Sequence, residues 1–464
     1  MSKLKGLAVA LVVAAAAGAV AVAYGTTSAA SGAASSGEHF PPSADVRAML
    51  AQVSPGQLSS YDHALVGFKN RNTLSAQNDP HRGIGAARDY IFAQFKRIAA
   101  TSDGRMTVRL QSFVQPKVAD ELPRAVRITN VVATLRGSQP ASAHRIYVVS
   151  GHYDSRCTDN FDTKCLAPGG DDDASGVSGV LEMARVMSTH HFDATIVFMA
   201  VAGEEQGLFG SEHFAEQARK HHLDVAGMLD NDIIGTPNGA DAHSIRLFSE
   251  GIPSDVTPDE LALIQEIGGE NDAPARELAR FIKSEAENRA TGMHIDLIFR
   301  VDRFLRGGDQ LSFLDNGYRS AVRFTEQREN FHHQHQDVRV VNGVQFGDLP
   351  RFVSFPYLAR ATRVNVNTLA ALADAPAEPA DVKIIATELT NSTTLRWKAN
   401  TEPDLAGYEV VWRTTSSPLW QHSLAVGNRT RVTLPLSKDN FIFGVRAVDS
   451  KGNRSPATYP APVF

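Results

Sequence analysis

Cysteine is nearly absent, with two in 464 residues, so no disulfide-built scaffold is available and the fold must rest on its own buried core. A surplus of either charge is also missing. The chain has 46 Lys and Arg against 51 Asp and Glu, a net charge of −5, which leaves no basic excess to neutralise a phosphate backbone or to bind anionic lipid. No nucleic-acid partner is therefore expected. What is present, 43% hydrophobic and 21% charged residues with 35 Gly and 22 Pro, excludes a disordered, collagenous or multi-span membrane chain. The length exceeds one ordinary core and predicts two or three domains.

Lys3 and Lys5 precede an uncharged, Ala/Val-rich run from Gly6 to Tyr24, and small residues occur at Ala21-Val22-Ala23 and Ser28-Ala29-Ala30. That is the pattern of a secretory signal peptide, placed at residues 1–30. An uncleaved anchor is the alternative, because the run could just span a bilayer; no cysteine follows it to take a lipid. The reading predicts a secreted or periplasmic protein with no stable membrane insertion after signal cleavage. In such a compartment Cys157 and Cys165 are expected to pair, closing a short loop that stabilises by roughly 2 to 3 kcal/mol on the chain-entropy model.

A Ser/Ala/Gly-rich stretch runs to Gly37, and residues 31–82 are read as an N-terminal segment that could be a propeptide. From Gly83 to residue 373 amphipathic and continuous apolar segments alternate, which predicts an α/β domain. Ile146–Ser150, Thr195–Ala202, Met228–Ile234 and Ala321–Thr325 read as buried strands. Ala174–Met187 reads as a helix, with Val177, Val180, Leu181, Ala184 and Met187 on one face and Asp173 as N-cap. Composition shifts at residues 374–381, where APAEPA reads as a linker. Beyond it, residues 382–464 predict a small all-β sandwich. Trp397, Tyr408 and the strand FIFGVRAVD, with Phe441, Phe443, Val445 and Ala447 on one face, make this part resemble a fibronectin type III module. Phe441 stands where such modules carry a strand tyrosine, so that residue cannot supply the usual hydroxyl.

Polar residues cluster where the α/β strands end, which is where open α/β sheets bind ligands. His152 follows IYVVS, Asp171 to Asp173 open the helix, Glu204 and Glu205 follow TIVFMAVAG, Asp232 sits in LDNDIIG, and His332, His333 and His335 follow AVRFTE. Each taken alone has a structural explanation as a cap, a solvated pair or a polar loop. Together they are the imidazole and carboxylate ligands that suit zinc, and two metals about 3.5 to 4 Å apart need a bridging carboxylate with terminal ligands on either side.

The strings SGHYDSR, APGGDDDASGV, GEEQGLFGS, NDIIG and HQHQD occur in the order and spacing of the secreted bacterial di-zinc aminopeptidases, and the chain resembles that family from Gly83 to Leu372. The resemblance implies a mixed β-sheet flanked by helices and two zinc ions per chain. His152 and Asp232 would hold one ion and Glu205 and His333 the other, with Asp172 bridging and Glu204 as general base. His333 is selected because the family ligand precedes an Asp, here Asp337, by four residues. His332 stands where some relatives carry a tyrosine that stabilises the tetrahedral intermediate, and Gln310 stands where relatives often carry His.

Residue chemistry supports the same roles. Neighbours in an extended segment point opposite ways, so Glu204 and Glu205 are not expected to serve one metal. Two zinc ions balance three ligand carboxylates and a hydroxide. Asp154, two residues after His152, is placed to orient its ring. The expected activity is removal of N-terminal residues from peptides with free N-termini. Alternatives are a carboxypeptidase or dipeptidase of the same fold, a glutaminyl cyclase, which resembles this chain but lacks the first histidine, and an inactive ectodomain that acts by binding.

Overall fold

The computed structural model describes residues 37–464, of which Gly37–Phe464 form one compact unit. The expected signal peptide lies outside the described residues. Eight strands form the main sheet: β1 (Met106–Gln115), β2 (Val126–Leu135), β3 (Arg145–His152), β4 (Thr195–Val201), β5 (Asp224–Asn231), β6 (Ser244–Ser249), β7 (His294–Ile298) and β8 (Ala321–Thr325), in the order β1-β2-β4-β3-β5-β8-β6-β7. The centre, β4-β3-β5-β8, is parallel, while β1, β2 and the β8–β6 pairing are antiparallel. The sheet is mixed, as expected. Its central strands are apolar without interruption because both faces are covered. Val149, Ile196 and Phe198 enter the larger core, whereas their neighbours Val148, Val197 and Met199 enter a second core on the opposite face.

Nine helices surround the sheet among the described residues: α1 (Ala44–Gln52), α2 (Pro55–Gly67), α3 (Gly83–Ala99), α4 (Ala174–Met187), α5 (Phe209–Lys220), α6 (Pro258–Ile267), α7 (Pro274–Ala286), α8 (Gln310–Asp315) and α9 (Phe355–Asp374). The core with α2, α3, α4, α7 and α9 lies on one side, and α5 and α8 supply Phe214, Ala215, Ala218, Phe313 and Leu314 to the other. α4 begins and ends where its pattern predicts, and the Asp173 carboxylate caps it by accepting from Gly176 N at 2.9 Å. A Cβ at Gly176 would lie 2.0 Å from Asn231 O. Only glycine lets the helix approach β5 this closely.

Residues 37–82, expected as a separable N-terminal segment, are built into the same core. Met49, Leu50, Leu58, Tyr61 and Leu65 are buried there. Arg71, wholly buried, donates from Nε to Tyr153 O at 2.7 Å and from Nη2 to Gly169 O at 2.9 Å, and also donates to Pro168 O. It thereby fixes the loops on either side of the expected metal ligands.

After a small hairpin, β9 (Arg339–Val341) and β10 (Val344–Phe346), and after α9, the chain forms seven strands. They are β11 (Lys383–Ile385), β12 (Thr393–Arg396), β13 (Leu405–Thr414), β14 (His422–Gly427), β15 (Arg431–Leu434), β16 (Phe441–Asp449) and β17 (Ala461–Val463), in sheets ordered β15-β12-β11-β17 and β14-β13-β16. Trp397, Tyr408, Phe443, Val445 and Ala447 share their core, with Phe441 packed against it. Tyr408 Oη accepts from Asn400 N at 2.7 Å, so a tyrosine on β13 binds backbone where Phe441 cannot.

The expected linker is not a free tether. Arg145, at the start of β3, donates to Ala375 O and lies 3.4 Å from Glu402. Arg413 on β13 meets Asp272 at 2.6 Å, and Trp420 Nε1 donates to Glu277 on α7 at 3.0 Å. The first described residues close the same seam. Glu38 pairs with Arg446 at 2.7 Å, and the Phe40 ring lies under the guanidinium groups of Arg446 and Arg454.

Candidate metal centre

Three parallel strands deliver the site. β3 ends at His152, β4 runs into the Glu204–Glu205 turn, and β5 leads to Asp232. The Asp triplet enters between β3 and α4, and its backbone is held from a distance. Asp348 accepts from Asp171 N at 2.9 Å and from Asp172 N at 2.8 Å. The Asp172–Asp173 peptide is cis.

Two groups of ligand atoms converge. His152, Glu204 and Asp232 form one, and Asp172, Glu205 and His335 the other. His152 Nε2 lies 3.2 Å from Asp172 Oδ1, 3.7 Å from Asp232 Oδ1 and 3.9 Å from Glu204 Oε2. His335 Nε2 lies 2.9 Å from Asp172 Oδ2 and 3.0 Å from Glu205 Oε2. Asp172 thus offers one oxygen to each group, which is the arrangement of a bridging ligand. Asp154 Oδ1 is 3.6 Å from His152 Nδ1, on the far side of that ring. Glu204 and Glu205 do serve different groups, but the cause is a turn after Gly203 (φ 82°) and not an extended segment.

The structure brings His335, and not the expected His333, to Asp172 and Glu205. His335 has φ 55°, in the left-handed region that few side-chain-bearing residues adopt, and there the chain reverses at the end of the 331–335 turn. His333 instead stacks on Phe352 with ring centroids 3.8 Å apart, and burial moves its pKa down. Asp337, whose spacing pointed to His333, accepts from Thr158 N at 3.3 Å. His332 is exposed and packs on Phe346 at 4.7 Å, with no contact to the ligand groups.

Cys157 and Cys165 are joined. Their loop braces the second group: Asn160 Nδ2 donates to Glu205 O at 3.1 Å, and Thr158 binds Asp337 two residues beyond His335.

The donor set fits a pair of cations. His152 Nε2, Glu205 Oε1 and Asp232 Oδ1 are buried without hydrogen-bond partners, a condition that costs free energy unless positive charge satisfies these atoms. Burial favours neutral His152, but Glu204, Asp154, Asp172 and Asp232 outweigh it and hold its pKa well above the usual range. Burial also opposes ionisation of Asp172, yet His335 and His152 hold it well below the ordinary carboxylate range. Glu204 goes the other way: burial, with Asp232, Asp309 and Glu205 nearby, raises it well above its ordinary value despite His152.

Several participants carried weak sequence signals or none. Arg323, a charge inside the apolar strand AVRFT, meets Asp232 Oδ2 at 2.7 Å. That interruption was a legible hint. Asp309, buried beside the site, accepts from Ser211 at 2.5 Å. Asp348 and Arg71 act across long separations that no local pattern shows.

A mixed sheet with paired carboxylate and histidine groups at its strand ends defines a metal-dependent exopeptidase with the residues of a two-zinc centre. Residues 130–348 match the family model for peptidase family M28. The chain is 49% identical over 425 residues to a probable zinc metalloprotease of Leptosphaeria maculans, covering 91% of this chain and 98% of that one. It is 48% identical over 430 residues to a probable zinc metalloprotease of Pyricularia oryzae, covering 91% and 85%. An aminopeptidase from Aneurinibacillus sp. strain AM-1 shares the fold, with TM-score 0.50 and 15% identity over 70% of this chain and 96% of that one. The chain belongs to peptidase family M28. These full-length relatives are fungal, whereas the sequence resemblance pointed to bacterial enzymes.

Proposed function

We propose that this enzyme is an exported aminopeptidase that removes single residues from the free N-termini of peptides. The observation that carries the reading is the division of Asp172 between the two groups, one oxygen 3.2 Å from His152 and the other 2.9 Å from His335. His152, Asp232 and Asp172 would hold one zinc ion, and Asp172, Glu205 and His335 the other. Zinc at these positions supplies Lewis-acid polarisation of the scissile carbonyl and lowers the pKa of an attacking water.

The chain's own groups do the rest. Glu204 takes the water's proton at its carboxylate and returns it to the leaving amine. Asp154 orients His152, and Asp348 holds the backbone that presents Asp172. Arg323, the guanidinium beside the site, is already engaged by Asp232 and Asp302. A carboxypeptidase must bind a substrate carboxylate, and a guanidinium held by two protein carboxylates is not free to do so. His152 favours the peptidase over the glutaminyl cyclase reading.

Residues 1–30 are read as the signal peptide, so the enzyme would act outside the cytoplasm. Among the described residues no helix is long and apolar enough to cross a membrane. Residues 382–464 are read as a fibronectin type III-like module whose partner is open.

The test is a panel of free and N-blocked peptides assayed with and without a chelator, beside elemental analysis. Cleavage confined to free N-termini, abolished by chelation, with two zinc ions per chain is expected. Cleavage from the C-terminus, or full activity with one ion, would overturn the reading.

A further inference from the structure

Asp232 is held between two charges. Its Oδ1 faces His152 and has no hydrogen-bond partner, whereas Oδ2 lies 2.7 Å from Nη2 of Arg323. Arg323 is fully buried on β8 and fixed from behind. Nη1 donates to Gly307 O at 2.8 Å and lies 3.5 Å from Asp302 Oδ2. Asp302 is itself held by Gln310 Nε2 at 2.6 Å and by Arg303 Nε at 3.0 Å. Gln310, which departs from the histidine of many relatives, therefore belongs to the scaffold that aims this guanidinium. Glu205 is placed differently: its ion-pair partner is His335, and its Oε1 is without a hydrogen-bond partner.

We infer that Arg323 is a positioning residue that restricts Asp232 to one ligating oxygen and makes the His152–Asp232 group the weaker of the two metal sites. A guanidinium does not lose its proton in a protein, so it is a permanent positive charge sharing a carboxylate with the metal. Withdrawal of one oxygen removes two-oxygen ligation, and repulsion between neighbouring cations in a buried setting lowers affinity further. Asp302, Asp230 and Glu204 offset part of that charge, but Nη2 is the nitrogen that faces Asp232 Oδ2. Among the described residues no Lys or Arg is paired with Glu205, whose ion-pair partner is His335. The inference rests on the two-metal reading.

The test is calorimetric titration of the metal-depleted full chain with Zn²⁺. Wild type is expected to bind two ions in unequal steps, and His152→Ala to lose the weaker step and keep the tighter. Arg323→Met, similar in length but uncharged, is expected to tighten the weaker step tenfold or more, while Arg323→Lys, which keeps the charge, stays within about threefold of wild type. A purely structural arginine predicts no tightening in the Met variant. A folded Arg323→Met protein, checked by circular dichroism, whose weaker step is unchanged or weakened would overturn the inference. If that variant does not fold, the other proteins decide: equal steps in wild type, or loss of the tighter step in His152→Ala, also overturns it. Binding of a single ion by wild type would instead remove the two-metal reading itself.

Discussion

Glu204 and Glu205 share a turn but face different groups, so their substitutions should fail in different ways. Glu204→Gln keeps shape and removes the base; zinc content should stay at two while kcat falls by about two to four orders of magnitude. Glu205→Gln removes an anionic ligand, and its activity should depend on added zinc. Metal analysis beside turnover separates the two, and loss of zinc from Glu204→Gln would reverse the roles. His335→Ala and His333→Ala make a second pair: the first should lose one ion per chain, the second should keep both. The motifs made His152, Asp172, Glu204, Glu205 and Asp232 legible because each sits at a strand end or helix start that local pattern reveals. The histidine choice was not legible, since spacing to Asp337 says nothing about the left-handed backbone that returns His335 to the site.

α4 and β8 follow their sequence patterns to the residue because apolar periodicity and a capping Asp are local signals. The incorporation of α1 and α2 was invisible, since it depends on contacts such as Ser54 N to Glu182 and Arg71 to Gly169, across long stretches of chain. Arg71→Met should leave three buried carbonyls without their donor and destabilise the fold by about 3 to 5 kcal/mol. Urea unfolding checks this, and a loss below about 1 kcal/mol would show that the loops before the Asp triplet hold themselves. Truncation after Ala375, inside the segment that composition reads as a linker, should expose α7 and leave Asp272 and Glu277 without Arg413 and Trp420. A truncated protein as heat-stable as the full chain would refute a structural role for the seam.

Across the whole molecule the seam between the peptidase domain and the β-sandwich should also set the response to pH. Burial, with Asp272 nearby, raises Glu277 to about 7 against Arg280 and Arg413, and burial beside Asp193 raises Asp374 to about 7. Both carboxyls bind protons more tightly folded than unfolded. Their contribution to stability is full below about pH 4 and is lost as pH rises through 7. Tm should therefore fall between pH 5 and 8, and Glu277→Gln should flatten that fall; an unchanged slope in the variant would show that Glu277 is not its source. The same seam has a mechanical consequence. With Arg145, Arg413, Trp420 and the Glu38–Phe40 strap all bridging it, the sandwich works as a fixed outrigger. Anything bound to the sandwich would be held at one bearing from His152, Asp172 and Glu205 and at a set reach from them. Spin labels placed on either side should report one narrow distance.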